Sequence, residues 1–195
     1  MKLFVLLVSI LFVQLSFGTF VSEVTITPHE NGCGNVYGAG YVIPINTCIT
    51  LETGYYLTLN LNSEQTQMTL SYFKDNCSSD AIAWGGPYNL QQCTNFSFLN
   101  EPEYNVTITT GSSVPSGAIE VEYYYYSFYC SGPTYKKFYT NQYKDVQNHL
   151  YYMCYNDKPF VYNCPESFSS CEQTDLDGCH DDKSLLMPYR GKCLK

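Results

Sequence analysis

The sequence predicts an all-β fold: a Greek-key-like sandwich or barrel of three degenerate units, followed by a disulfide-rich C-terminal tail. Three observations carry this. Short stretches of alternating apolar and polar residues recur along the chain, as half-buried strands require. Turn chemistry such as PHENGCG and GSSVPSG separates them. An apolar pair also stands nine and seven residues before a cysteine three times: Val24 and Ile26 before Cys33, Met68 and Leu70 before Cys77, Val121 and Tyr123 before Cys130. Each of these cysteines is followed by another, Cys48, Cys93 and Cys154. The shared spacing predicts local bridges Cys33–Cys48 and Cys77–Cys93, with Cys130–Cys154 by analogy. The threefold count makes a β-trefoil the alternative architecture.

The organising strand is Ile119–Cys130, IEVEYYYYSFYC. Branched and aromatic residues suit a pleated surface. Successive side chains point to opposite faces. Ile119, Val121, Tyr123 and Tyr125 therefore form one face, expected in the core. Glu120, Glu122, Tyr124 and Tyr126 form the other, expected in water because of its two carboxylates.

The remaining elements follow in order. Residues 19–27 alternate as a strand and end in an Asn-Gly turn. Residues 35–46 read as a loop and a short strand. In 50–62 the leucines 57, 59 and 61 share one face, and 68–73 returns as the second arm of a hairpin. IAWGGPYN reads as a Gly-Pro loop before Cys93. Phe96, Phe98, Tyr104, Val106 and Ile108 carry the next strands. Val146, Leu150 and Met153 stand at helical spacing, so 143–153 is expected as a short helix, with strand the alternative near Cys154. Residues 160–164 form the last strand of a β-domain over 19–163. Four cysteines then fall between 164 and 193 with few branched apolar residues, and 164–195 is expected as a separate disulfide-held segment.

The first residues, MKLFVLLVSILFVQLSFG, have a basic start, an apolar run and small residues at Ser16 and Gly18. They predict a signal peptide over 1–18, too short for a bilayer span. A soluble, secreted, extracellular product without an integral membrane segment is expected. The ten cysteines Cys33, Cys48, Cys77, Cys93, Cys130, Cys154, Cys164, Cys171, Cys179 and Cys193 are an even set, read as five disulfides. None is spaced as Cys-x2-Cys, so no metal site is expected. The formal charge of −8 disfavours nucleic acid and anionic membranes, which need a basic patch.

Asn76, Asn95 and Asn105 each open an Asn-x-Ser/Thr sequon and are candidate glycosylation sites. Trp84, the only tryptophan, is a candidate for stacking on a sugar ring. The commoner use of a large aromatic, closing one end of a core, is the favoured reading for it. Glu120, Glu122, Tyr124 and Tyr126 are the candidate binding face, since carboxylates accept bonds from sugar hydroxyls and tyrosine rings cover apolar sugar faces. Asp175, Asp177, Asp181 and Asp182 lack the order of a calcium loop and read as a solvated acidic turn. His29, His149 and His180 lie outside any catalytic motif, and no phosphate loop, Gly-x-Ser-x-Gly or His-Glu-x-x-His is present.

The apolar leader, the Tyr-x4-Cys strand ends at Tyr72–Cys77 and Tyr125–Cys130, and the Asn-, Ser- and Tyr-rich remainder resemble small secreted Cys-rich proteins of social amoebae. The resemblance covers the three units and implies secretion. The stretch LSYFKDNC also resembles the opening of a βγ-crystallin Greek key. Its glycine is displaced to Gly85 and Cys77 occupies the turn, so no calcium site is carried over. The expected function is a non-catalytic extracellular binding or structural protein without cofactors, meeting a glycan or a cell-surface partner. A secreted hydrolase acting on polysaccharide and a secreted inhibitor or signalling factor are the alternatives.

Overall fold

The protein is described by a computed structural model over residues 21–51, 55–78, 80–98, 103–125, 127, 129–165, 170–182 and 187–195. The expected signal segment 1–18 lies outside the described residues.

Sixteen strands and no helix make up the described chain. The first two, β1 (Glu23–His29) and β2 (Ala39–Pro44), form a hairpin across the Asn-Gly turn. The chain then leaves for a second sheet of β3 (Ile49–Thr50), β4 (Tyr56–Leu61), β5 (Gln67–Phe73) and β6 (Ala83–Asn89). It returns through β7 (Cys93–Phe96) and β8 (Tyr104–Thr110), which pairs with β1. The organising strand β9 (Ile119–Tyr124) and β10 (Thr134–Tyr139) form the next hairpin. A third sheet holds β11 (Tyr143–Asp145), β12 (Leu150–Tyr155), β13 (Lys158–Asn163) and β14 (Glu172–Asp175). The last strands, β15 (His180–Asp182) and β16 (Met187–Cys193), rejoin the first sheet.

The first sheet is eight-stranded and antiparallel, in the order β15-β16-β9-β10-β2-β1-β8-β7. Its end strands do not meet, so the expected alternatives of barrel and trefoil give way to open, layered sheets. Neighbours such as β1·β8 and β16·β9 are distant in sequence, as in a Greek key.

On the inner face of the large sheet lie Val24, Ile26, Tyr41, Ile43, Ile119, Val121 and Tyr123. They share one apolar core with Leu57, Leu59, Met68 and Leu70 from the second sheet and Tyr152 from the third. The leucine alternation read from the sequence is therefore real: Leu57 and Leu59 are fully buried while Thr58 and Asn60 are not.

Four expectations need correction. The segment 143–153 is a strand hairpin, β11–β12, and not a helix. Asp145 accepts bonds from the Asn148 backbone N–H (3.1 Å) and side-chain amide (2.9 Å), and His149 takes φ 56°, which closes a tight turn and stops a helix. AWGGPYN is strand β6 and not a loop. It fits because a Cβ on Gly86 would lie 2.8 Å from the Met68 carbonyl and φ there is +96°, at a register shift between Met68 and Leu70. The segment beyond 164 is not separate from the sheet, since β16 pairs directly with β9.

The local bridges are the fourth correction. The disulfides are Cys33–Cys93, Cys48–Cys77, Cys130–Cys179, Cys154–Cys193 and Cys164–Cys171. Cys33 and Cys48 flank the six residues of β2, and Cys77 and Cys93 flank the seven of β6. A strand of that length holds its two ends about 20 Å apart, beyond the reach of a disulfide. Cys33 instead lies against Val106 of β8, where Cys93 stands one strand away across the ladder. Cys154–Cys193 fastens the third sheet to β16.

Candidate binding cleft

The expected binding face of β9 is not a surface. β9 lies between β10 and β16, and Glu120 is only 3% exposed. Lys192 Nζ lies 2.7 Å from Glu120 Oε1 and 3.1 Å from Glu122 Oε1, while Lys136 Nζ is 3.9 Å from Glu120 Oε1. The Tyr124 hydroxyl donates to Glu122 Oε2 at 2.9 Å, and Tyr124 is buried. Burial would raise the Glu122 carboxyl, but bonds from Tyr124 and Lys192 and the charges of Lys192 and Lys136 outweigh it and hold the pKa below the ordinary 4.5. Burial would lower Lys192, but the two carboxylates outweigh it and raise the ammonium above 10.5. The strand's other expectation holds, as Ile119, Val121, Tyr123 and Tyr125 are all buried. Tyr126 lies outside the described residues.

At the Glu120 end of the strand, opposite Phe138, the loop 111–118 covers this face. Ser113 N–H donates to Thr25 Oγ1 (2.9 Å), and Thr25 Oγ1 donates to the Gly111 carbonyl (2.6 Å). The loop thus folds over the outer face of the large sheet, where Val114 and Ala118 pack on Val42 and Phe138. Gly40 makes room for Phe138, whose ring would lie 2.2 Å from any Cβ there.

Trp84 does not close the core. It is 70% exposed on β6, the end strand of the second sheet. Asn76 and Asn95 are exposed, and Asn105 is partly buried directly across from Asn95. The acidic turn is held by local bonds, with Asp177 N–H donating to Asp175 Oδ1 (2.8 Å) and the His180 ring stacked on Tyr189 at 5.1 Å.

A concave site lies elsewhere. A cleft of about 530 Å³ opens beside β11, on the inner face of the large sheet. Its walls include Tyr37, Tyr41, Tyr139 and Tyr143, with Lys137 and Asp145. The rings are mutually braced. Tyr139 stacks on Tyr152 at 3.6 Å, and Tyr37 meets Tyr143 edge-on at 5.4 Å. The Lys144 backbone N–H donates to the Tyr37 hydroxyl oxygen at 3.2 Å. Lys137 Nζ stands 5.5 Å from the Tyr41 ring centroid and 5.6 Å from that of Tyr139, within cation–π range. Burial, then Asp145 and Tyr37, push the Tyr143 phenol up to about 12, so it keeps its proton as a donor at neutral pH. His29 also lines the cleft, with Nε2 2.9 Å from Thr107 Oγ1.

Such a site presents apolar ring faces beside an ammonium, carboxylates and amides, the chemistry that grips a polyhydroxylated ligand. Sequence reasoning did not single out these residues. The available signal was the crowding of twelve tyrosines into 123–162. It did not say which rings would converge, because Tyr37 and Tyr41 come from the first hairpin and Tyr139 and Tyr143 from the other half of the chain.

Among the described residues, no helix is long and apolar enough to cross a membrane. Five disulfides indicate an oxidising, extracellular setting. No curated protein and no solved structure matches the chain. The family described as counting factor-associated protein A/B/C matches residues 1–186, which includes most of the segment past Cys164 that the resemblance to social-amoeba proteins had not covered. That span takes in nearly the whole chain, including the sheets that build the cleft, and this disulfide-rich protein belongs to the counting factor-associated protein A/B/C family.

Proposed function

We propose that the chain is a secreted, non-catalytic binding protein that holds a glycan segment in the tyrosine-walled cleft. The observation that carries this reading is the convergence of Tyr37, Tyr41, Tyr139 and Tyr143 on one open cavity with Lys137 among them. Aromatic faces cover the apolar side of a sugar ring, and the rim groups meet its hydroxyls. The family description, counting factor-associated, suggests a counting factor as the partner presenting that glycan. Glu120 and Glu122 do not support a hydrolase, because Lys192 and Lys136 neutralise them. Asn76, Asn95 and Asn105 belong to the same reading as sites of N-glycosylation.

A glycan array probed with purified protein tests this. Binding to a defined set of glycans, lost in Tyr37→Ala while the melting temperature holds, is the expected result. Bound oligosaccharide should be recovered uncleaved. An array pattern in which no glycan loses signal in Tyr37→Ala or in Lys137→Met would remove the cleft from consideration.

A further inference from the structure

The four strands β3–β6 contain no Asp, Glu, Lys or Arg, in a chain with 18 acidic and 10 basic residues. On their inner face Leu57, Leu59, Met68 and Leu70 are fully buried. Alternation therefore sends Thr58 and Asn60 of β4, and Thr69 and Ser71 of β5, to the outer face. Trp84 of β6 stands on that same face. The register aligns Thr58, Ser71 and Trp84 in one row across the sheet, with Asn60 and Thr69 in the next. Ile82, 52% exposed, precedes Trp84 by two residues and extends the ladder by donating its N–H to the Tyr72 carbonyl at 2.8 Å. The result is an exposed indole beside rows of hydroxyls and amides, on strands that themselves carry no formal charge.

We infer that this face is a second saccharide-binding surface, separate from the cleft and selective for neutral glycan chains. Three features choose the occupant. An indole face is a stacking surface for the C–H side of a pyranose. Hydroxyl and amide side chains both donate and accept, as sugar hydroxyls do. Absence of charge within these strands removes from them the counter-ions that a nucleic acid, an anionic membrane or a strongly charged protein patch would need. The platform is preorganised, since Tyr72↔Ala83, Ser71↔Trp84 and Leu70↔Gly85 pair β6 to a buried strand, and Cys48–Cys77 joins the start of β3 to the end of β5.

Trp84 is the only tryptophan of the chain, so its fluorescence reports on this face alone. The probes are cellohexaose, maltohexaose and chitohexaose added to the full-length protein. At least one should blue-shift the emission and protect Trp84 from acrylamide quenching. Retention on the matching insoluble polysaccharide should weaken roughly tenfold in Trp84→Ala and in Thr69→Asp, and survive in Trp84→Tyr and in the cleft variant Tyr37→Ala. Trp84 is exposed, so its replacement leaves the fold intact, and the melting temperature verifies this. Emission unchanged by all three sugars overturns the inference. So does retention equal in Trp84→Ala and the parent protein, or a dimer that Trp84→Ala converts to a monomer, which would make the face a contact between copies. Loss of retention in Tyr37→Ala with Trp84 emission unchanged would assign neutral-glycan binding to the cleft instead.

Discussion

Lys192 Nζ sits 2.7 Å from Glu120 Oε1, joining the last strand of the chain to β9. The carboxylate is buried and the ammonium half exposed, so the pair is solvated from one side only. This contact makes the C-terminal strand part of the core. Lys192→Met should cost about 1–3 kcal/mol in urea unfolding, because it leaves a buried carboxylate with Lys136, 3.9 Å away, as its remaining cation among the described residues. A loss indistinguishable from zero would show that water already satisfies Glu120.

Both faces of β9 are covered, so alanine at either of two neighbouring tyrosines should be costly. Tyr124→Ala and Tyr125→Ala are each expected to lose roughly 3–5 kcal/mol. Tyr124→Phe, which keeps the ring and loses only the bond to Glu122, should lose about 1–2 kcal/mol. Thermal melts of the three variants decide the order. A mild Tyr124→Ala would mean that the Tyr124 ring is not buried in solution.

The same cluster sets a pH window. Glu122 has a folded pKa below its ordinary 4.5, so its contribution is present above 4.5 and is lost as pH falls through the folded value. Lys192 is raised above 10.5, so its contribution is present below 10.5 and is lost as pH rises through the folded value. Stability measured from neutral to acid pH should therefore decline below 4.5. Glu122→Gln should flatten part of that decline, and an unchanged acid limb would count against the assignment.

Disulfide mapping distinguishes sheet geometry from local spacing. Non-reducing digests should yield Cys33 joined to Cys93 and Cys48 joined to Cys77. Removing Cys33–Cys93 by a double alanine substitution should cost about 4 kcal/mol, since the bridge spans 60 residues. Recovery of Cys33 with Cys48 would contradict the strand order.

Asn95 is exposed on the end strand β7, whereas Asn105 opposite it is partly buried. Expressed in a secretory host, the protein should lose a larger gel-mobility shift with Asn95→Gln than with Asn105→Gln. Equal shifts, or none after glycosidase treatment, would refute this order.

What the sequence determined by itself was local. Alternation along Leu57–Leu61 and Ile119–Tyr124 assigned strands and one core face correctly, because side-chain direction in a strand follows from chain geometry alone, though the strand expected to run on to Cys130 ends at Tyr124. Its ten cysteines announced five disulfides and an oxidising compartment. Tertiary structure decided whatever depends on which strands become neighbours. Pairing of β16 with β9, and the loop 111–118 over the Glu120 end, turned a face with two carboxylates into an ion-paired, half-covered one. Placement of β7 and β8 beside β1 sent Cys33 to Cys93, since a bridge follows distance in space and not in sequence. The cleft arose in the same way: its tyrosines lie about a hundred residues apart and meet only because β10 pairs with β2.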